Sequence, residues 1–199
     1  MAIIALELKA RQGLAGGREF GAVGRYTQFD ATAHFAVDPS HPGNRCITDL
    51  DLAPRDGYAH VRFAADVRIL TPEDPRRGNR RLLFEVVNRG NRLALATFNR
   101  VPRPIDPGAP LDCGDGFLMR HGYTVAWCGW QHDVPALDGL MRIQVPEAQT
   151  TAGPVSGKLL VSFKPNAPGQ FQLLSDRAHR PYPSDTLDDP GCVKTPRMI

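Results

Sequence analysis

Two nearly continuous apolar runs, at residues 82–87 and 123–128, constrain the fold of this chain more than any other feature. Runs of this kind are typical of strands that are covered on both faces of a sheet. A loop-like stretch with four prolines and a short helix-like segment at 116–121 lie between them, and Gly122 is placed to end that helix. Strand, crossover with helix and strand form the βαβ pattern, so the two strands are predicted to be parallel.

Alternating apolar and polar residues predict further strands with one buried face. The clearest is 60–70, where odd-numbered residues are apolar and most even-numbered residues are polar. Other strand signals occur at 4–8, 29–37, 47–52, 141–145, 158–163 and 170–174. Hydrophobic residues make up 42% and charged residues 23%, as in globular proteins, and 19 Gly with 18 Pro indicate many turns. The sequence therefore predicts a β-rich α/β fold in one domain.

Three stretches carry a family resemblance. They read HFAVDPSHPGNRCITDLDLAPR at 34–55, FAADVRILTPEDPRRGNRRLLFEVVNRGN at 63–91 and GDGFLMRHGYTVAWCGWQHDVP at 114–135. Together, in this order and at these spacings, they closely resemble the N-terminal part of a family of large bacterial α/β-hydrolase-domain proteins, esterase-like enzymes mostly without an assigned substrate. The resemblance covers roughly residues 20–185.

The resemblance implies an incomplete α/β-hydrolase-like mixed sheet, made of the strands before the nucleophile elbow, with extra β segments. The resemblance implies that residues 82–87 form a strand and that the loop after it is an oxyanion-hole candidate. It implies a helix at 116–121 and the next strand at 123–128. Strand 60–70 is then an earlier antiparallel strand. The oxyanion-hole candidates are Arg89, Gly90 and Asn91, and the simpler interpretation of these residues is a tight turn leaving the strand.

Binding residues in α/β proteins collect where parallel strands end. Asn88 follows the first apolar run, and Trp130 and Gln131 follow the second. These three residues are pocket-lining candidates. His132 and Asp133 come next, but neighbouring residues on an extended segment point apart, so a plain loop is the preferred interpretation of 130–133.

A nucleophile is missing. An enzyme of this kind needs a serine on a strained strand-to-helix turn, followed along the chain by an acid and a histidine. None of the five serines, at 40, 156, 162, 175 and 184, follows a buried strand and opens a helix. The resemblance places the elbow beyond this sequence, and the last residues depart from the family pattern. We therefore expect an N-terminal fragment, such as a truncated or frameshifted product. It should be inactive alone and of marginal stability, because strand 123–128 is left as a sheet edge.

Residues 1–175 are predicted to form this hydrolase-like portion, and 176–199 a poorly ordered tail. The partner is unknown, and one candidate is the missing C-terminal catalytic half. The alternative function is a standalone β-rich module that binds a ligand or a partner near residues 88–91 and Trp130. In the fragment interpretation, a continuing reading frame supplies the catalytic triad. In the binding-module interpretation, a separate second chain could carry it.

The cysteines and one group of His and Asp residues have simpler interpretations than a catalytic or metal site. Cys128 is interpreted as an inert core residue, and Cys113 beside His121 is a weak nucleophile candidate. The spacing of Asp38, His34 and His41 matches no metal motif, and no cofactor is indicated.

Residues 76–103 hold eight arginines and one acid, a formal charge of +7, which leaves −4 for the rest of a chain whose total is +3. Nucleic-acid binding needs one basic surface, and solvated loops are the preferred interpretation. No apolar run approaches the roughly 18 residues of a membrane span. The N-terminal apolar stretch is short and interrupted by Glu7 and Lys9, which argues against a signal peptide and makes the cytoplasm the expected location.

Overall fold

The computed structural model describes residues 2–102, 106–151 and 153–155. The strands of its main sheet are β1 (Ala2–Gly13), β2 (Tyr26–Val37), β3 (Val61–Pro72), β4 (Leu82–Val86), β5 (Thr124–Cys128) and β6 (Ile143–Gln144). Their spatial order is β1-β2-β3-β5-β4, and β6 pairs with β3. Two short helices follow β4, α1 (Ala94–Phe98) and α2 (Phe117–Arg120). A small ribbon joins β7 (Gln149–Thr150) to β8 (Gly153–Pro154).

The first three strands form a long antiparallel meander. Each contains 12 residues, and β2 pairs with β3 without interruption from Tyr26 opposite Pro72 to Val37 opposite Val61. Phe35 and Phe63 are directly opposite and stack with ring centroids 4.6 Å apart. The predicted strands at 29–37 and 60–70 are confirmed, and the one at 4–8 is longer than its pattern indicates.

The second half of the sheet contains the predicted parallel pair. Strand β4 pairs with β5 in parallel, from Leu82 opposite Thr124 to Val86 opposite Cys128, and β5 pairs antiparallel with β3. Helix α2 lies where it was predicted, and Gly122 follows it with a φ of +72°. Helix α1 was not predicted from any pattern.

One face of the sheet carries the hydrophobic core. Register places Leu70 opposite Val125, and Trp127 lies two residues further along β5 on the same face. These three side chains are fully buried with Phe20 and Met119, which come from the segment before β2 and from α2. Because both helices pack on this face, it is the covered side of the sheet.

Three predictions about the strands are corrected. Run 82–87 is not covered on both faces, because β4 is the last strand of the described sheet and Leu82, Phe84 and Val86 are 60%, 54% and 62% exposed. Strand β5 is not a sheet edge, because it lies between β3 and β4. Residues 47–52 form no strand, and a single 3₁₀ turn, Leu50–Leu52, occupies the end of that segment.

The remaining predicted segments divide into two groups. In 141–145 only Ile143–Gln144 pairs as a strand. The segments at 158–163 and 170–174 and the tail at 176–199 lie outside the described residues. The described structure is thus β-rich, with a mixed six-stranded sheet and few helices.

Candidate functional site

The predicted oxyanion residues form a tight turn at the end of β4. The backbone N–H of Asn88 donates to the carbonyl of Asn91 (3.2 Å), and that of Asn91 donates back to Asn88 (3.0 Å). Arg89 and Gly90, between them, have φ values of +51° and +80°. Two successive left-handed residues are the hallmark of the type I′ turn, which favours glycine at its second central position.

This turn is attached to the loop that follows β5. The backbone N–H of Arg89 donates to Oε1 of Gln131 (2.9 Å). Its guanidinium Nη1 contacts both carboxylate oxygens of Asp133, at 2.7 and 2.8 Å. The indole N–H of Trp130 donates to the carbonyl of Val87 (2.5 Å). The structure therefore brings together the two groups of residues that the sequence marked at the ends of the parallel strands.

The side chain of Gln131 occupies the position that an oxyanion would need at Arg89. The N–H groups of Arg89 and Asn91 already donate to Gln131 and to Asn88, while the carbonyl of Gly90 accepts from Met141 (3.0 Å). An oxyanion hole needs donors aimed at the developing charge. A substrate oxygen would have to displace the Gln131 amide, so the oxyanion assignment stays a prediction.

Asp133 is committed to Arg89 and not to its neighbour His132. Burial raises the pKa of Asp133. The hydrogen bond and the positive charge of Arg89 together lower this pKa by more, so the net shift is downward. His132 is exposed, in agreement with the plain-loop interpretation. The Nε atom of Arg89 is buried and has no hydrogen-bond partner within the described part of the chain.

Glu85 is an important residue that the sequence reasoning missed. Its carboxylate accepts the N–H of Leu93 at 2.9 and 3.0 Å and that of Ala94 at 2.7 Å, at the start of α1. It also accepts the indole N–H of Trp127 on the neighbouring strand. An acid in an otherwise apolar strand was the available signal, because a half-buried carboxylate requires several donors.

A polar cavity of about 380 Å³ lies beside this site, on the covered face of the sheet. Its wall includes Asp30, Asp66 and Arg68 from β2 and β3, and Arg92 from the segment after the turn. A second cavity of about 250 Å³ lies on the other side of Arg92, next to Trp127. The predicted pocket residues Asn88, Trp130 and Gln131 line neither of these two cavities.

Two of the described cysteines, Cys113 and Cys128, have thiols whose pKa is raised. Cys113 belongs to the core, where burial raises its pKa to about 11, and burial also raises the pKa of half-buried Cys128. Thiolates are the reactive form, so these two residues are inert at neutral pH. In the described ranges no group of three or more His, Cys, Asp or Glu side chains is arranged to hold a metal ion.

Four described arginines of the basic run have different surroundings. Arg76 and Arg100 are 89% and 88% exposed and lie near Asp74 and Asp115. Arg89 turns inward to Asp133, and Arg92 lines both cavities. Partial pairing with local acids and dispersal over several loops weaken the case for a nucleic-acid interface.

Comparisons with known proteins give no neighbour: no family model, curated protein or solved structure matches this chain. Within the described ranges, none of the helices has the length and apolar character that crossing a bilayer requires.

Proposed function

We propose that this chain is the N-terminal portion of an α/β-hydrolase-like enzyme that cleaves an ester-type bond. In this proposal the chain supplies the first part of the sheet and the oxyanion loop at Arg89, Gly90 and Asn91. The serine nucleophile and its acid and histidine partners come from sequence outside these 199 residues. The family resemblance described above motivates the proposal.

The edge of β4, which pairs with no further strand among the described residues, is the observation that carries the proposal. Leu82, Phe84 and Val86 are each more than half exposed, although they belong to a parallel pair. Parallel strands are normally covered on both faces. A further parallel strand beside β4, with a helix crossing this face, would cover these side chains, and that is where the strand leading to a nucleophile elbow would fit.

The chemistry assigned to this chain is electrostatic. When the nucleophile's oxygen bonds to the ester carbon, the carbonyl oxygen takes the electron pair and becomes an oxyanion. The Arg89 N–H, now bonded to the neutral amide oxygen of Gln131 at 2.9 Å, would donate to that oxyanion. Loss of one such donor typically slows turnover by about 10²–10³-fold.

The test uses this chain and its gene. A fluorophosphonate probe, which labels activated serines, is expected to leave the 199-residue protein unlabelled. The gene is then read through and beyond the Ile199 codon in all frames. If a strand, a serine elbow and a later acid and histidine follow, the restored protein should take up the probe at that serine and hydrolyse p-nitrophenyl acetate. A restored protein without labelling, or no such sequence, would contradict the proposal.

A standalone binding module is the second candidate. The cavity beside Arg92 favours it, because ligand pockets are concave and combine apolar walls with a few polar groups. Ligand binding by the 199-residue chain, with no enzyme activity in any restored form, would support this candidate over the first.

A further inference from the structure

We infer that the 380 Å³ cavity binds a small organic monocarboxylate through the guanidinium of Arg92. This inference goes beyond the hydrolase proposal and does not require it, because every residue used belongs to the described chain. Ligand pockets generally range from roughly 300 to 1,000 Å³, so the cavity is large enough for a ring bearing one carboxylate.

Arg92 is partly buried, and among the described residues it has no acid partner. Its Nη2 donates to the carbonyl of Pro107 (3.2 Å), and no carboxylate of the described residues lies within 4.0 Å of its guanidinium. A guanidinium has five N–H donors arranged to fit a carboxylate. Burial and the positive charge of Arg68 lower the pKa of Arg92 to about 10. An anion in the cavity would offset both effects.

The two acids whose charges act on Arg92, Asp30 and Glu85, are already engaged. Asp30 accepts hydrogen bonds from Arg68 and from Gln28, and Glu85 accepts from the start of α1 and from Trp127. Both acids affect Arg92 through space but neither forms an ion pair with it. Within the described residues the guanidinium therefore keeps N–H donors that no carboxylate accepts, and the cavity is the open space beside it.

The other walls fit an organic anion better than an inorganic one. Leu137, Leu140 and Met141 line the cavity with Ala136, so part of its surface is apolar. Lys9 at its rim is already bonded to Glu7 (2.5 Å), and Arg68 to Asp30. A single carboxylate on an apolar body matches one unpaired guanidinium beside an apolar wall.

Benzoate is the probe for the test. The ¹⁵N-labelled 199-residue protein is titrated with sodium benzoate at constant ionic strength, and the arginine Nε–Hε signals are recorded. We expect a saturable shift of the Arg92 signal. Benzamide, the neutral isostere, and sodium chloride alone should produce no saturable shift. A shift of equal size with benzamide would overturn the inference, because the carboxylate would then be irrelevant.

Two variants extend the test. Arg92→Lys keeps the positive charge but loses the paired N–H donors of the guanidinium. The affinity of this variant for benzoate should fall about tenfold, as measured on the backbone signals of residues 137–141. The matched control, Arg76→Lys, changes an exposed arginine of the same basic run and should bind as the wild type does. Arg92→Met should unfold at nearly the wild-type temperature while benzoate binding is lost, since an unpaired buried charge adds little stability. Wild-type affinity in Arg92→Lys would contradict the assignment.

Discussion

The carboxylate of Glu85 accepts the indole N–H of Trp127 directly across the parallel pair, at a position where the two residues are in register. The same carboxylate accepts the backbone N–H groups of Leu93 and Ala94. One side chain thus joins β4, β5 and the start of α1. Because α1 has only five residues, its formation depends on this contact more than on helix propensity.

We expect Glu85→Gln to lower the free energy of unfolding by about 2 kcal/mol, because an amide NH₂ would face N–H donors and the charge-assisted bonds would be lost. Urea unfolding followed by tryptophan fluorescence measures the change. Glu73→Gln, at an exposed glutamate, is the matched control and should change stability by less than about 0.5 kcal/mol. An unchanged urea midpoint for Glu85→Gln would mean that the carboxylate is not structural.

The ion pair of Arg89 and Asp133 should make stability depend on pH. Since the folded-state pKa of Asp133 is lowered, its contribution is present above the unfolded value near 3.8 and is lost as the pH falls through the folded value. Asp133→Asn should therefore cost about 2 kcal/mol at pH 7, since it leaves a half-buried guanidinium unpaired. The difference from the wild type should shrink below pH 4.

The control for this pair is Asp138→Asn, at an exposed aspartate of the same loop, which should leave stability nearly unchanged at both pH values. Unfolding by urea at pH 7 and at several values below 4 supplies the comparison. A wild-type advantage that persists undiminished at the lowest pH would show that the ion pair is not its source.

Gly90 is required by both its backbone conformation and its surroundings. Its φ is +80°, and an added Cβ would lie 2.8 Å from Val134 Cγ1 and 3.0 Å from the Met141 carbonyl. Gly17 has a similar φ of +85° with no atom within 4 Å of such a Cβ. We expect Gly17→Ala to cost about 1 kcal/mol from the backbone alone.

Gly90→Ala should cost at least about 1 kcal/mol more than Gly17→Ala, because the added methyl group must displace its neighbours. Thermal unfolding of the two variants measures the difference directly. Equal losses would indicate that the loop carrying Val134 yields freely, and that the close approach is unimportant.

The exposed face of β4 should cause self-association. An apolar edge strand offers unpaired backbone groups to other chains. Phe84→Lys is expected to reduce concentration-dependent association, measured by size-exclusion chromatography with light scattering, without a large loss of stability. Phe98→Lys is the matched control, because Phe98 is 46% exposed but belongs to α1 and not to the edge strand. Equal effects of the two substitutions would point to general solubility and not to the strand edge.

Local pattern was sufficient for several elements. Alternation over 60–70 identified β3, and the two apolar runs identified a parallel pair joined through α2. The Asn-Arg-Gly-Asn order at 88–91 indicated a tight turn, because glycine tolerates positive φ. These features depend on residues close together along the chain, so their sequence carries the information.

The pattern failed where the outcome depended on which element became a neighbour. An apolar run reports that a strand has two apolar faces, and it does not report what covers them, so the exposure of β4 was missed. Helix α1 was missed because its N-terminal carboxylate belongs to a different element.

The sequence by itself determined the β-rich character, strands β2 and β3 of the meander and the turn at the end of β4. Only the tertiary structure decided that Arg89 meets Asp133, that Glu85 meets Trp127, and that Arg92 faces a cavity with no acid partner in the described part of the chain. The first two contacts join residues 44 and 42 positions apart. Side-chain partners at such separations are set by strand order and register, which arise from burial of the whole sheet and not from any local run of residues.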